Sequence, residues 1–218
     1  MIRTAFVLAS AVVVVIQTAV EQPFRPFSDP AYVSVNAVGF ADGGRTLYAA
    51  MFVERIEKAR GRTPAAGAPE LAIYESRRGA DGAWSEPTML PFCGTWSDYE
   101  PTLAPDGSYM VFNSQRPLQA GGATGPNNLW LVRRTAAGWG TPVSLAAINR
   151  AATEESYPSI TSDGRIFYVQ EIAKDAIGAD YNINVAQLTG DRAGTPAAVA
   201  VAATSFGEGD PWHPTVVI

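Results

Sequence analysis

The sequence predicts an all-β fold: a β-propeller-type array of about three four-stranded blades plus a partial fourth, in an incomplete ring. Three observations point there. An Asp-Gly turn followed by an aromatic-rich strand occurs at Asp42-Gly43, Asp106-Gly107 and Asp163-Gly164. A Glu-Pro or Thr-Pro step closes each unit at Pro87, Pro142 and Pro196, spaced 55 and then 54 residues, which is the signature of like sheet units in series. The chain also carries 20 Gly and 16 Pro and shows no sustained helical period.

The first 20 residues hold one charge, Arg3, and an apolar run from Ala5 to Ile16 that is too short to span a bilayer. This reads as a secretory signal peptide over 1–20, with Ala19 as the candidate last residue of the leader. Gln17 sits where a small side chain is preferred, so an uncleaved anchor is the alternative. What remains, about 198 residues, suffices for one domain with a sizeable core.

Blade one spans approximately 27–93. Its inner strand is expected from Tyr32 to Val38, its second from Thr46 to Phe52 and its third from Leu71 to Ser76, with a polar, mobile loop over 54–68. Blade two, 94–152, is the cleanest: Tyr99 to Leu103 and Tyr109 to Phe112 flank Asp106-Gly107, and a dipeptide of this kind supplies the positive φ angles of a tight hairpin. Leu129 to Val132 follows a Gly-rich loop, and Pro142 to Leu145 makes the fourth strand. Blade three, 153–205, repeats the order with Tyr157 to Ile160, Ile166 to Val169, Ile183 to Leu188 and Pro196 to Val201. About 55 residues per four short strands is the length of a propeller blade.

Three blades and the fragment 206–218 fall short of the four to eight that close a ring. Either the sequence is a piece of a longer propeller or an incomplete gene product, or the last strand docks on the first blade of a small, open array. Open arrays expose edge strands and invite association.

The net charge is −5, and loss of Arg3 makes the balance more acidic. Clustered Lys and Arg, which a nucleic-acid partner requires for counterion release, are absent, so nucleic acid is excluded. The single cysteine, Cys93, cannot form an internal disulfide; it is a buried small apolar residue or a free thiol.

In alternating strands, the segments entering each first strand share a face with the loops joining strands two and three. That face gathers Trp96, Asp98, Tyr99 and Glu100, then Glu155 and Tyr157, then Asp210 and Trp212, together with the loops 54–68, 115–127 and 171–181. Loops on a rigid scaffold concentrate recognition groups, so this is the candidate partner-binding face, with Arg116 in its middle loop. Each choice has a plainer counterpart. Glu100, Glu155 and Asp210 suit capping of backbone N–H groups, repeated blade by blade, and Arg116 suits an ion pair between blades. Tyr48, Phe112 and Tyr168 are core positions, while Trp84, Trp130 and Trp139 are packing residues.

No G-x-S-x-G elbow, H-E-x-x-H helix, paired C-x-x-C or phosphate-cradling loop occurs, so no catalytic residue is assigned. The one histidine, His213, makes a Ser-His-Asp site implausible. No metal site and no cofactor are assigned; Asp163-Gly164 and Asp180-Tyr181-Asn182 are the loops where calcium would be sought, but they lack a dense run of alternating oxygen ligands.

The stretch APDGSYMVFNSQRP (104–117), with NNLWLVRR (127–134) and GWGTPVSL (138–145), resembles the WD40-like β-propeller repeat of bacterial TolB-type proteins. The resemblance covers about 27–211 and loosens in the first unit, where Ala41 replaces a proline and Ala49-Ala50 a polar pair. It implies a propeller and a periplasmic interaction role, with an envelope lipoprotein among the candidate partners; such repeats imply no single activity. The expectation is therefore a non-enzymatic module, periplasmic or secreted, that binds a protein or cell-envelope component and has no membrane insertion after signal removal. A hydrolase-associated propeller (a glycan hydrolase or the accessory domain of a peptidase) and an inactive fragment are the alternatives.

Overall fold

A computed structural model describes residues 35–174 and 179–199. The expected leader 1–20, the start of the expected first inner strand and the stretch 206–218, with Asp210, Trp212 and His213, lie outside the described residues. Among the described residues no helix is long and apolar enough to cross a membrane.

Three antiparallel sheets follow one another along the chain. The first holds β1 (Val35–Ala41), β2 (Thr46–Phe52), β3 (Leu71–Arg77) and β4 (Thr88–Met89) in that order. The second holds β5 (Asp98–Leu103), β6 (Tyr109–Ser114), β7 (Asn128–Thr135), β8 (Gly138–Trp139) and β9 (Val143–Ser144); the third holds β10 (Glu155–Ile160), β11 (Arg165–Lys174), β12 (Ala179–Thr189), β13 (Arg192–Ala193) and β14 (Ala197–Ala198). In the last two sheets both short pieces pair with the same strand: β8 and β9 with β7, β13 and β14 with β12. They are one outer strand cut in two. In the first sheet the matching pair is a single bridge, Arg78 to Trp84, followed by β4. Pro87, Pro142 and Pro196 all fall in the cut, where a residue without an N–H interrupts a ladder at least cost. The array is a propeller-type succession of blades.

Each first strand carries a bulge at the same place. Asn36-Ala37 faces Ala50, Glu100-Pro101 faces Phe112, and Tyr157-Pro158 faces Tyr168, two residues against one each time. Glu100 and Tyr157 consequently sit at φ 53° and 51°, a region that side chains with a Cβ seldom adopt.

First strands also join neighbouring sheets. β5 lies against β1, β2 and β3, and β10 against β5, β6 and β7. Between sheets one and two, Tyr48, Ile73, Leu90, Met110, Phe112 and Val132 form a core, and the rings of Tyr48 and Trp139 meet edge to face at 5.6 Å. Between sheets two and three the core is built on Val111, Leu129, Leu131, Leu145, Ile166 and Tyr168. Because β2 and β6 are covered on both faces, their sequences TLYAAMF and YMVFNS are apolar without strict alternation and nearly every residue is buried. At the rim, Arg134 reaches Asp42 of the first turn at 3.3 Å and Arg133 reaches Asp191 of the third sheet at 2.6 Å.

Two expectations need correction. The Asp-Gly turns of the last two sheets are not two-residue turns with both residues at positive φ. Only Gly107 (φ 69°) and Gly164 (φ 79°) are left-handed, and their N–H groups bond the carbonyls of Ala104 and Thr161, three residues back. Asp106 and Asp163 stay in ordinary backbone and use their carboxylates locally: Asp106 accepts from Ser108 N and Oγ, and Asp163 from Arg165 Nε and Thr161 Oγ1. Asp42 differs, at φ 53°, followed by two left-handed glycines, with Thr46 Oγ1 donating to it at 2.7 Å.

The second correction concerns the loop over 54–68. It begins as a helix, α1 (Val53–Ala59), whose Val53 and Ile56 are buried against Leu47, Ala49, Met51, Ala72 and Tyr74. These side chains belong to the face of sheet one that points away from sheet two. Seven residues are too few for a helix to stand alone, so tertiary burial holds it. Val38 and Phe40, on the β1 part of that face, remain half-exposed.

Candidate functional site

Just past β6, Ser114 Oγ accepts the N–H of Arg116 at 3.2 Å and so turns its side chain back under the sheet. The guanidinium is buried, 5% exposed. Its Nη2 donates to Asp98 Oδ2 at 2.9 Å and to the carbonyl of Phe92 at 2.5 Å. Four rings surround its Cζ: Phe112 at 5.1 Å, Trp96 at 5.4 Å, Phe92 at 5.7 Å and Trp130 at 5.8 Å. Cation–π attraction of this kind strengthens where water is excluded.

The ion pair of Arg116, expected between blades, therefore lies within its own sheet, while the Phe92 carbonyl ties the same guanidinium to the end of blade one. β5 and β6 set Asp98 directly opposite Ser114, whose hydroxyl donates to Asp98 Oδ1 at 2.7 Å. Burial pushes the Asp98 carboxyl up to about 6, against the opposing pull of Arg116, Ser114 and Cys93. The same burial, with Asp98 beside it, pushes the Cys93 thiol far above its usual range, which marks an unreactive thiol.

A cleft of about 590 Å³ opens beside this group between sheets one and two, walled by Phe92, Trp96, Arg116, Pro117, Trp130 and Pro142. That volume suits a small molecule or a short peptide segment. Two buried donors at its wall, Arg116 Nη1 and Trp130 Nε1, have no hydrogen-bond partner.

The second gathering lies at the bulges. Glu100 Oε2 accepts the N–H of Tyr157 at 2.9 Å, and Thr102 Oγ1 donates to the carbonyl of Pro158 at 2.7 Å, lacing β5 to β10. Burial pushes the Glu100 carboxyl up to about 7, the Tyr157 N–H pulls it down, and Glu154 adds to the rise. Tyr99 and Tyr157 are raised as well, first by burial and then by Glu100.

Glu155 belongs to neither gathering. Fully buried, it accepts from Thr153 Oγ1 at 2.8 Å, Arg150 N at 2.9 Å and Gln170 Nε2 at 3.2 Å, and burial raises its pKa. Glu100 and Glu155 were expected at matching places in successive blades; the register instead aligns Glu155 with Asp98 and Glu100 with Tyr157.

Of the residues expected on one face, Trp96 and Arg116 thus line the cleft with Asp98 buried behind Arg116, Tyr99, Glu100 and Tyr157 meet at the bulges, and Glu155 stands apart. Asp210 and Trp212 lie outside the described residues. Phe92 was not foreseen at the cleft, and Trp130 was read as packing only; Phe112 is a fully buried core residue, as expected, and touches the site only through the Arg116 guanidinium. The signal for them was the pairing of Phe112 with Trp130 across β6 and β7, two strands whose ends lead into the Arg116 loop. Among the described residues no cluster of three or more His, Cys, Asp or Glu side chains is placed to hold a metal ion.

No family model matches the chain, and no curated protein matches it in sequence. Several solved structures are similar. A protein assigned as TolB from Agrobacterium tumefaciens is 17% identical with a TM-score of 0.47, over 73% of this chain and 47% of that one. A puromycin-hydrolysing peptidase from Mycobacterium tuberculosis is 16% identical with a TM-score of 0.44, over 69% of this chain and 20% of the peptidase. An endo-arabinase from Bacteroides thetaiotaomicron is 14% identical with a TM-score of 0.38, over 68% of this chain and 54% of the arabinase. The chain spans about half the length of the first and third and a fifth of the second.

Proposed function

We propose that this chain is an exported, non-enzymatic propeller-type module that binds a protein or cell-envelope partner, and that the Arg116 cleft is the principal contact. One observation carries the reading: a buried guanidinium, ringed by aromatics, stands at the wall of an open cleft with one of its nitrogens unpartnered. Arginine and tryptophan in desolvated pockets are the groups on which binding energy concentrates. The carboxylates support the same reading, because Asp98, Glu100 and Glu155 are buried and already accept internal donors. Export and the envelope partner rest on the leader-like residues 1–20 and on the resemblance to TolB-type repeats.

The test is capture from an envelope extract on the immobilised full chain, with bound proteins identified by mass spectrometry. A defined partner is expected, and Trp96→Ala should weaken its retention at unchanged melting temperature. Equal retention by the variant, or no partner at all, refutes the reading. A hydrolase-associated role draws on one observation, the Glu100 carboxyl raised to about 7, in the range that suits a general acid. Turnover of an aryl glycoside by the wild type and its loss in Glu100→Gln would establish that role; a flat response across a panel removes it.

A further inference from the structure

The unpartnered groups at the cleft are both donors: Arg116 Nη1–H and Trp130 Nε1–H. A buried donor without an acceptor costs free energy that a ligand oxygen recovers. The ligand must therefore bring an acceptor. Charge narrows the choice further. Asp98 already neutralises Arg116 at 2.9 Å, so a carboxylate entering the cleft would leave a net negative charge in a desolvated place, on a chain of net charge −5. A neutral carbonyl carries no such penalty.

The apolar walls narrow it again. Phe92, Trp96 and Trp130 offer flat rings, and Pro117 and Pro142 add apolar wall. An ordinary peptide can offer its carbonyls too, but its N–H groups find no buried unpaired acceptor at this wall and must stay in water. Proline brings the carbonyl, lacks the N–H, and presents a rigid ring that packs on aromatic faces at low entropic cost.

We propose that the cleft takes a proline-rich stretch of extended peptide, its carbonyls accepting from Arg116 Nη1 and Trp130 Nε1 and its rings lying on Phe92, Trp96 and Trp130. This rests on the binding-module reading and names the partner chemistry that the module recognises. Both donor atoms are closed off from solvent, so entry of the segment requires the half-buried Trp96 ring, 5.4 Å from the guanidinium carbon, to swing aside.

Titration of the full chain with a capped ten-residue polyproline peptide, followed by tryptophan fluorescence and calorimetry, tests this directly. Saturable binding is expected, at least tenfold tighter than for a capped Gly-Ser peptide of equal length. Trp130→Phe deletes the N–H and replaces the indole by a smaller phenyl ring, and should weaken polyproline binding at least fivefold, about the worth of one hydrogen bond; because the ring also packs on the core between sheets one and two, binding is compared at a temperature well below the variant's own melting point. Three outcomes overturn the proposal: no saturation by polyproline, equal binding of the Gly-Ser peptide, or no effect of Trp130→Phe. Benzoate that binds the cleft while polyproline does not would also overturn it, in favour of a small-anion site. Failure here with envelope capture intact removes the ligand class alone; loss of both removes the binding module.

Discussion

Asp98 and Glu155 occupy the same position in successive sheets, two residues before the bulge, and each faces a donor across the strand pair: Ser114 for Asp98, Gln170 for Glu155. The longer Glu155 side chain reaches back to Arg150 N and Thr153 and stays within its own loop. The shorter Asp98 leaves one oxygen to Arg116 and so anchors the cleft. One blade uses the position to close a loop, the other to build a wall.

Arg116→Ala should destabilise the fold by about 3–5 kcal/mol, because it strands Asp98 as an uncompensated buried charge. Removing both partners, Arg116→Ala with Asp98→Ala, should cost clearly less than the sum of the single changes. Urea unfolding of the four proteins measures the coupling, and strict additivity would disprove the pairing.

Stability should fall as pH rises from 5 to 8. The Glu100 carboxyl is raised from 4.5 to about 7 in the folded chain, and that of Asp98 from 3.8 to about 6. A raised folded pKa gives stability that is complete below the unfolded value and is lost as pH climbs through the folded one. Glu100→Gln cannot ionise, so it should gain on the order of 2 kcal/mol over the wild type at pH 8 and little at pH 5. Urea midpoints at the two pH values decide; parallel behaviour of wild type and variant would count against the buried, proton-binding state.

Gly107→Ala should cost about 1–2 kcal/mol, the penalty of forcing a Cβ into the left-handed region. Space is not the issue, since the nearest atom to the new Cβ would be Arg134 Nη1 at 3.8 Å. A thermal melt shifted by less than a degree would mean that the turn relaxes freely.

Ile56→Ala should cost about 2–4 kcal/mol by opening a void between α1 and sheet one. Ile56 has no exposed surface. Faster hydrogen exchange over 53–61, with sheet two unaffected, is the expected pattern; uniform loss across all three sheets would show that α1 is integral to the whole array.

The strands were legible because their chemistry is local. Thr46–Phe52 was read with the bounds that β2 has, since an aromatic and apolar run after a glycine turn has one economical conformation. What escaped depends on register or on tertiary burial. Asp106-Gly107 marks a hairpin, yet the dipeptide alone does not say that glycine takes the fourth turn position and not the third. VERIEKA spans only two helical turns, too short for periodicity to reveal. Glu100 and Glu155 were matched by charge, whereas Pro101 and Pro158, which share the bulge, give the true frame. The cleft needed that frame, because only the β5–β6 register brings Asp98 within reach of Arg116.

The divided outer strand has a bearing on how copies of this molecule behave together. Each sheet ends outward in two-residue pieces, β4, β9 and β14, preceded by a proline. A foreign backbone approaching that margin meets no continuous run of free amide and carbonyl groups on which to zip. Crowded copies are thereby denied the most direct route to fibrous self-assembly.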